Sequence, residues 1–376
     1  MAERLPLQGR RVAEVLATST GGVGTHVRAV LPALGAAGAA VRVCGPSATE
    51  ALFAFTAAGA AFAPVEISAG LSPAADARAV AALRRATADA DLVHAHGLRA
   101  GLVAAAARRL GAGRDRPLVL TLHNALPEGG GALRRVLRLA ERATVRGADV
   151  VLAASADLAE NAWRQGARDV RVAPVSAPPL PPPSRPAAEV RAELGLSDGR
   201  PLVVAIGRLH PQKGYDVLLG AATRWAGDPQ PPLVAVAGDG PLHDELAARI
   251  AAERLPVVLL GRRGDVADLL AAADLAVLPS RWEARSLTAQ EALRVGTPLI
   301  ATRTGGLPEL LGDGAALVPV GDAAALADAV TALLADPARA RELAAAGTVQ
   351  AATWPDEAAT ARQLVALYRE LLGAPR

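Results

Sequence analysis

The sequence predicts an α/β protein of two Rossmann-like, doubly wound parallel-sheet domains facing a cleft. Three observations carry that reading. Short apolar runs alternate with helix-length segments in each half of the chain, a proline run separates the halves, and 376 residues exceed one domain of ~150. In the first half, 12–17, 41–44, 91–94, 118–122, 150–153 and 170–173 read as buried strands, with helices over 23–37, 74–88, 98–110 and 133–146 among others. The span 173–186 holds seven prolines, which neither a helix nor a central strand accommodates. Residues 177–200 therefore read as a stiff linker after a first domain of 1–176. Alternation restarts with strands at 202–206, 233–237, 257–260, 275–278, 299–301 and 316–318 in a second domain, 201–355. The final segment, 356–376, follows the break at Trp354-Pro355 and reads as a helix crossing back to the first domain.

Composition narrows the classes of function. Hydrophobic residues make up 51% and charged residues 20%, enough apolar material for a core and too much for a disordered chain. Aromatics at 2% argue against base-stacking nucleic-acid recognition. One cysteine, Cys44, excludes a disulfide framework and a multi-cysteine zinc site. No run of apolar residues is long enough to span a bilayer, and the charged N-terminus does not read as a signal peptide, so a cytoplasmic protein is expected. The net charge of +3 conceals an asymmetry: residues 1–180 hold 21 basic and 14 acidic residues, the remainder 19 and 23. Lys213 is the single lysine among 40 basic residues.

Four segments carry chemistry. Gly21-Gly22-Val23-Gly24-Thr25-His26 follows the first strand and opens a helix, where backbone N–H groups can meet an anion. Its spacing is not the dinucleotide fingerprint, which disfavours a nicotinamide- or flavin-dependent oxidoreductase. Gly207-Arg208-Leu209-His210-Pro211-Gln212-Lys213-Gly214 follows the first strand of the second domain and sets a planar fork and a point charge on one loop, suited to a diphosphate. Glu283 and Glu291 stand in a loop and in the first turns of the next helix, where paired carboxylates can accept hydroxyl hydrogen bonds. Gly305-Gly306-Leu307-Pro308-Glu309 offers a further anion-accessible turn into a helix.

In that order, with Pro279-Ser280 and Gly296-Thr297-Pro298, these motifs resemble the family 4 retaining glycosyltransferases of GT-B fold, over most of the chain from Gly21 to Glu309. The resemblance implies a retaining, metal-independent hexosyl transfer from a nucleotide-diphosphate sugar, UDP- or GDP-linked, to a glycan, lipid-linked or small-molecule acceptor. No other cofactor is implied. Arg208 and Lys213 would bind the donor diphosphate and stabilise it as leaving group. Glu291 would hold the ribose hydroxyls and Glu283 those of the transferred sugar, with Ser286 and Leu287 beside them and Arg262 near the base. Gly22 and Gly24 would let the first domain close over the phosphates. His123, in Leu120-Thr-Leu-His-Asn124, matches a histidine that faces the transferred sugar; Asn124 and His96 join it as acceptor-side candidates.

The chain departs from the family pattern at Glu283-Ala284-Arg285-Ser286, where the family usually reads Glu-Gly-Phe-Gly. Side chains replace two glycines where backbone amides should approach donor oxygens, and Arg285 is expected to add a positive contact of its own. Asp89-Ala-Asp91 lies between a helix and a strand, the wrong end of the sheet for a donor metal. His94-Ala-His96 would share one strand face, but no third metal ligand is evident nearby. The segment Gly131–Gly147 has five arginines and one glutamate, with Leu133, Val136, Leu137 and Ala140 on one face. It reads as an amphipathic helix or as a peripheral contact with an anionic inner membrane face. An epimerase or hydrolase on the same fold would require further acid/base groups in the second domain, whose histidines are His210 and His243. A non-catalytic nucleotide-sugar binder is the remaining alternative.

Overall fold

A computed structural model describes residues 4–110, 115–126, 131–196 and 199–373, apart from the side chains of Ala132 and Leu133. It forms two compact units, residues 1–176 with 355–376, and residues 177–354.

The first unit is a parallel sheet of β1 (Arg11–Leu16), β2 (Ala40–Gly45), β3 (Ala61–Pro64), β4 (Leu92–His96), β5 (Leu118–Leu122), β6 (Val150–Ala153) and β7 (Val170–Val172). The order β3-β2-β1-β4-β5-β6-β7 reverses direction between β1 and β4, the place where such sheets bind ligands. Because helices cover both faces, the central strands are buried along their length and read as apolar runs. Strand β3 escapes the sequence reading: it is an edge strand of four residues, Ala-Phe-Ala-Pro, with exposed ends and no alternation to betray it. The C-terminal helix Glu357–Leu372 starts at Asp356, whose carboxylate accepts from the Ala359 N–H at 2.6 Å. It buries Leu364, Leu367 and Tyr368 in the same core as Val12, Leu16 and Val27. An apolar stripe, rather than length, fixes where this last helix belongs.

The second unit is a six-stranded parallel sheet of β8 (Leu202–Ile206), β9 (Leu233–Ala237), β10 (Val257–Gly261), β11 (Leu275–Leu278), β12 (Leu299–Thr302) and β13 (Ala316–Val318). Its order, β10-β9-β8-β11-β12-β13, reverses between β8 and β11. With so few aromatics the core is assembled from Val, Leu and Ala around Tyr215 and Trp225.

At 177–200 the structure differs from the linker expected. The segment belongs to the second unit. Ser184 donates from its N–H and hydroxyl to Asp268 at 2.6 and 2.9 Å, and Arg185 pairs with Asp265 and Glu193. Beyond Pro186 the chain is helical over Ala187–Glu193, with Val190 fully buried against Leu202 and Val204. Proline at the boundary starts a helix here as readily as it excludes one.

Candidate active site

The loops that follow β8 and β11 meet at the reversal point of the second sheet. Lys213 Nζ lies 2.5 Å from Glu283 Oε1, and the Ser280 hydroxyl donates to the same oxygen at 2.7 Å. Glu283 is buried and Lys213 half-buried, so the ammonium is held against a fixed partner instead of ranging through solvent. Gly214 makes this approach available. Its φ is +68°, and a Cβ there would come within 2.0 Å of the Pro279 carbonyl oxygen. Gln212 Nε2 donates to the Trp282 carbonyl at 2.9 Å, tying the two loops again.

Arg208 is exposed on the same loop as Lys213, and Arg262 is exposed after β10. Glu291 is half-buried in the helix Leu287–Val295; burial pushes its carboxyl up while Arg294 pulls it down. Ser286 caps that helix, its hydroxyl accepting from the Ala289 N–H at 3.3 Å, and Leu287 is its first residue. Arg208, Lys213 and Glu283 thus sit at the carboxyl ends of the adjacent strands β8 and β11, Arg262 at that of β10 two strands from β8, and Ser286, Leu287 and Glu291 on the helix that follows β11.

Two expectations need correction. The Gly306 N–H, expected to meet an anion, donates to the Glu283 carbonyl at 2.9 Å; it braces the loop that carries Glu283. Arg285, expected to point at a donor, lies 5.8 Å from the centre of the Trp354 ring, as does Arg294. Burial draws its guanidinium down to about 10, with Glu309 opposing and Arg294 adding to the shift. Of the two histidines of this unit, His210 Nδ1 accepts from the Gln212 N–H at 3.3 Å, and His243 is exposed beside Asp244.

In the first unit the reversal point gathers polar groups. Glu14 on β1 pairs in register with His94 on β4, and β4 runs through both histidines, so His94 and His96 share a face. Glu14 Oε2 is 2.7 Å from His96 Nε2 and 3.4 Å from His94 Nδ1. Tyr368 donates to Glu14 Oε1 at 2.8 Å and lies 2.5 Å from His94 Nδ1. His96 Nδ1 is 3.3 Å from His123 Nε2, and His26 sets its ring edge-on to both His96 and His123. Burial first, and repulsion from neighbouring rings second, holds His94 and His123 well below the ordinary histidine range and His26 down to about 3.

Glu14 is therefore the third potential metal ligand that the sequence did not reveal near His94 and His96. The 2.7 Å separation of Glu14 and His96 is a hydrogen bond, shorter than the ~3.4 Å between two ligand atoms on a tetrahedral zinc. The Asp89-Ala-Asp91 pair sits at the far end of β4, where Asp89 binds Arg42 at 2.6 Å and Asp91 accepts the Arg11 N–H at 2.8 Å.

Gly22 is exposed at the start of the helix Gly22–Ala36, and Asn124 is exposed after β5. Gly24 stands in the first turn of the same helix. It is buried, and a Cβ on it would come within 2.1 Å of the Phe53 ring. Close packing against Phe53, from the helix Ser47–Phe53 that the sequence reading omitted, accounts for that glycine. In the helix Gly131–Gly147, Val136 and Leu139 are 50% and 66% exposed, and Glu141, Thr144 and Val145 face inward. Val136 and Leu139 thus stand outside the inward face; the Leu133 side chain lies outside the described residues. No helix among the described residues is long and apolar enough to cross a membrane.

A double parallel-sheet architecture with basic and acidic groups at the strand ends of its second sheet defines a GT-B glycosyltransferase fold. Family models for glycosyl transferases group 1 and for a glycosyl transferase 4-like domain match residues 187–350 and 21–178. The chain is 32% identical over 310 residues to the α-maltose-1-phosphate synthase of Mycolicibacterium smegmatis, covering 75% of this chain and 79% of that one. It is 31% identical over 341 residues to D-inositol 3-phosphate glycosyltransferase 1 of Catenulispora acidiphila, covering 83% and 80%. Among solved structures, Anabaena HepE in complex with UDP and glucose aligns with a TM-score of 0.81 at 22% identity over 96% of this chain and all of that one. The chain belongs to the group 1, family 4-like glycosyltransferases, and it is a glycosyltransferase of GT-B fold.

Proposed function

We propose that this glycosyltransferase moves a hexosyl group, with retention and without a metal ion, from a UDP- or GDP-linked sugar to a glycan, lipid-linked or small-molecule acceptor. The observation that carries the reading is the Lys213–Glu283 pair at the reversal point of the second sheet. Support comes from relatives named for maltose-1-phosphate synthesis and for glycosyl transfer to inositol phosphate, and from HepE, solved with UDP-glucose.

Departure of the nucleoside diphosphate leaves negative charge on the β-phosphate. Lys213, held against Glu283, and Arg208 on the same loop are cations that offset this charge as it develops. The donor diphosphate competes with Glu283 for the Lys213 ammonium, and Glu283 is released to sugar hydroxyls. Glu291 accepts from the ribose hydroxyls. The acceptor oxygen bonds the anomeric carbon on the face the phosphate leaves, and its proton passes to the departing phosphate oxygen. Proton NMR of the product tests this reading: an α-linked donor yields an α-linked product, with a rate unchanged by EDTA. A β-linked product, or loss of activity with EDTA, refutes it.

The helix Gly131–Gly147 is the surface we assign to an anionic membrane. Val136 and Leu139 stand exposed among Arg135, Arg138 and Arg142, apolar anchors amid cations. Flotation with acidic liposomes at low salt is expected to carry the protein up, and Val136→Glu with Leu139→Glu to abolish it; no flotation of the unaltered protein removes the assignment.

A further inference from the structure

Glu14 is a carboxylate in the middle of a central strand, between Ala13 and Val15, and its side chain is fully buried. Burying a carboxylate costs several kcal/mol unless its oxygens are well hydrogen-bonded, and an apolar residue would suit this strand without that cost. What Glu14 does can be read by counting protons along the contacts it anchors.

Five contacts form one chain: Thr121 Oγ1 to His94 Nε2 at 2.6 Å, His94 Nδ1 to Tyr368 at 2.5 Å, Tyr368 to Glu14 at 2.8 Å, Glu14 to His96 Nε2 at 2.7 Å, and His96 Nδ1 to His123 Nε2 at 3.3 Å. A carboxylate only accepts. Tyr368 therefore spends its one proton on Glu14 and must receive from His94 Nδ1, whose Nε2 then accepts from Thr121. On the other side His96 gives its Nε2 proton to Glu14. With one proton per ring, its Nδ1 is bare and must receive from His123 Nε2. For an ionised Glu14 and neutral rings, only this arrangement gives every contact one hydrogen, and it leaves His123 Nδ1 without a proton. His26, His94 and His96 are buried, whereas His123 is mostly buried but keeps some exposure at the carboxyl end of β5, so the chain reaches the surface at that ring alone among its histidines.

We propose that Glu14 is a positioning residue: acting through His96, it fixes the tautomer of His123 so that Nδ1 is presented as a hydrogen-bond acceptor for a substrate hydroxyl. The hydroxyl's identity rests on the glycosyl-transfer reading above; the tautomer does not. Such control of one ring nitrogen by what the other binds is a general property of histidine. Glu14 itself touches no substrate.

The test is ¹⁵N NMR of the histidine-labelled full chain at pH 7, with His123→Gln identifying the His123 signals. The expected result is a single His123 tautomer protonated at Nε2. An Nδ1-protonated ring, or a mixture, overturns the proposal, and neither outcome depends on turnover. In Glu14→Leu with Tyr368→Phe, which removes the carboxylate and the hydroxyl it satisfies, His96 is released and His123 is expected to shift towards the Nδ1-protonated form. In that variant kcat is expected to fall about tenfold, the worth of one neutral hydrogen bond, with KM for the donor within about twofold. An unchanged His123 tautomer in a folded variant also overturns it. Failure of the transferase reading shows separately, as no turnover by any form of the protein.

Discussion

Lys213 illustrates how far single residues speak from the sequence. As the lone lysine among forty basic residues it stands out by composition, and its loop follows a strand. The sequence matches it only to a diphosphate; the fold brings Glu283, seventy residues away, to 2.5 Å from it. Glu14 and His26 were not legible as site residues. Each looks unremarkable in its segment, and the meeting of Glu14 with His94 follows from the register of β1 on β4, which neither strand records. Gly24 misleads in the opposite sense: a glycine at a strand-to-helix turn suggests an anion, but Phe53 demands it. Gly24→Ala is accordingly expected to destabilise the protein by about 1–3 kcal/mol through overpacking, read as a lower urea midpoint. Phe53→Leu in the same chain should recover part of that loss; equal losses with and without Phe53 would separate Gly24 from the ring. Glu291→Gln should weaken nucleotide binding in a titration calorimeter while leaving the fold's melting temperature near that of the unaltered protein.

At the scale of elements, buried strands were the most readable feature because parallel strands covered on both faces are near-continuous apolar runs. Nine of the runs named from sequence, including 118–122, 150–153, 202–206 and 275–278, match the observed strands at both ends or at one. Short edges were not readable: β3 is four residues closed by a proline, and the helix Ser47–Phe53 is too brief for its period to show. Residues 177–200 read as a linker because six prolines dominate their first ten positions, whereas Val190 and the Arg185 ion pairs, which fasten the segment to the second unit, are single residues. Val190→Ala is expected to lower that unit's stability by about 1–2 kcal/mol, seen as a reduced denaturation midpoint; an unchanged midpoint would return the segment to the status of a linker. The last helix shows the reverse case, an apolar stripe of Leu364, Leu367 and Tyr368 that only one core accepts.

For the whole molecule, the charge asymmetry between the halves and the histidine cluster make separate statements. His26, His94 and His123 have folded-state values depressed below those of the unfolded chain. The unfolded chain therefore binds more protons, and stability is full above the ordinary histidine value of ~6.5 and lost as pH falls, down towards about 3 for His26. Each such histidine contributes up to about 1.4 kcal/mol per pH unit in that window, so urea midpoints should drop steeply between pH 6.5 and 5. A flat profile would mean that the rings are not buried neutral. The central claim, that a nucleotide-diphosphate sugar is held by the loops after β8 and β11, is tested most directly by melting the protein with a panel of UDP- and GDP-sugars. A donor at a hundred times its Kd should add about 2.7 kcal/mol of stability, raising the melting temperature of the unaltered protein and not of Lys213→Ala. No response to any nucleotide-sugar, or the same rise in Lys213→Ala, would contradict it.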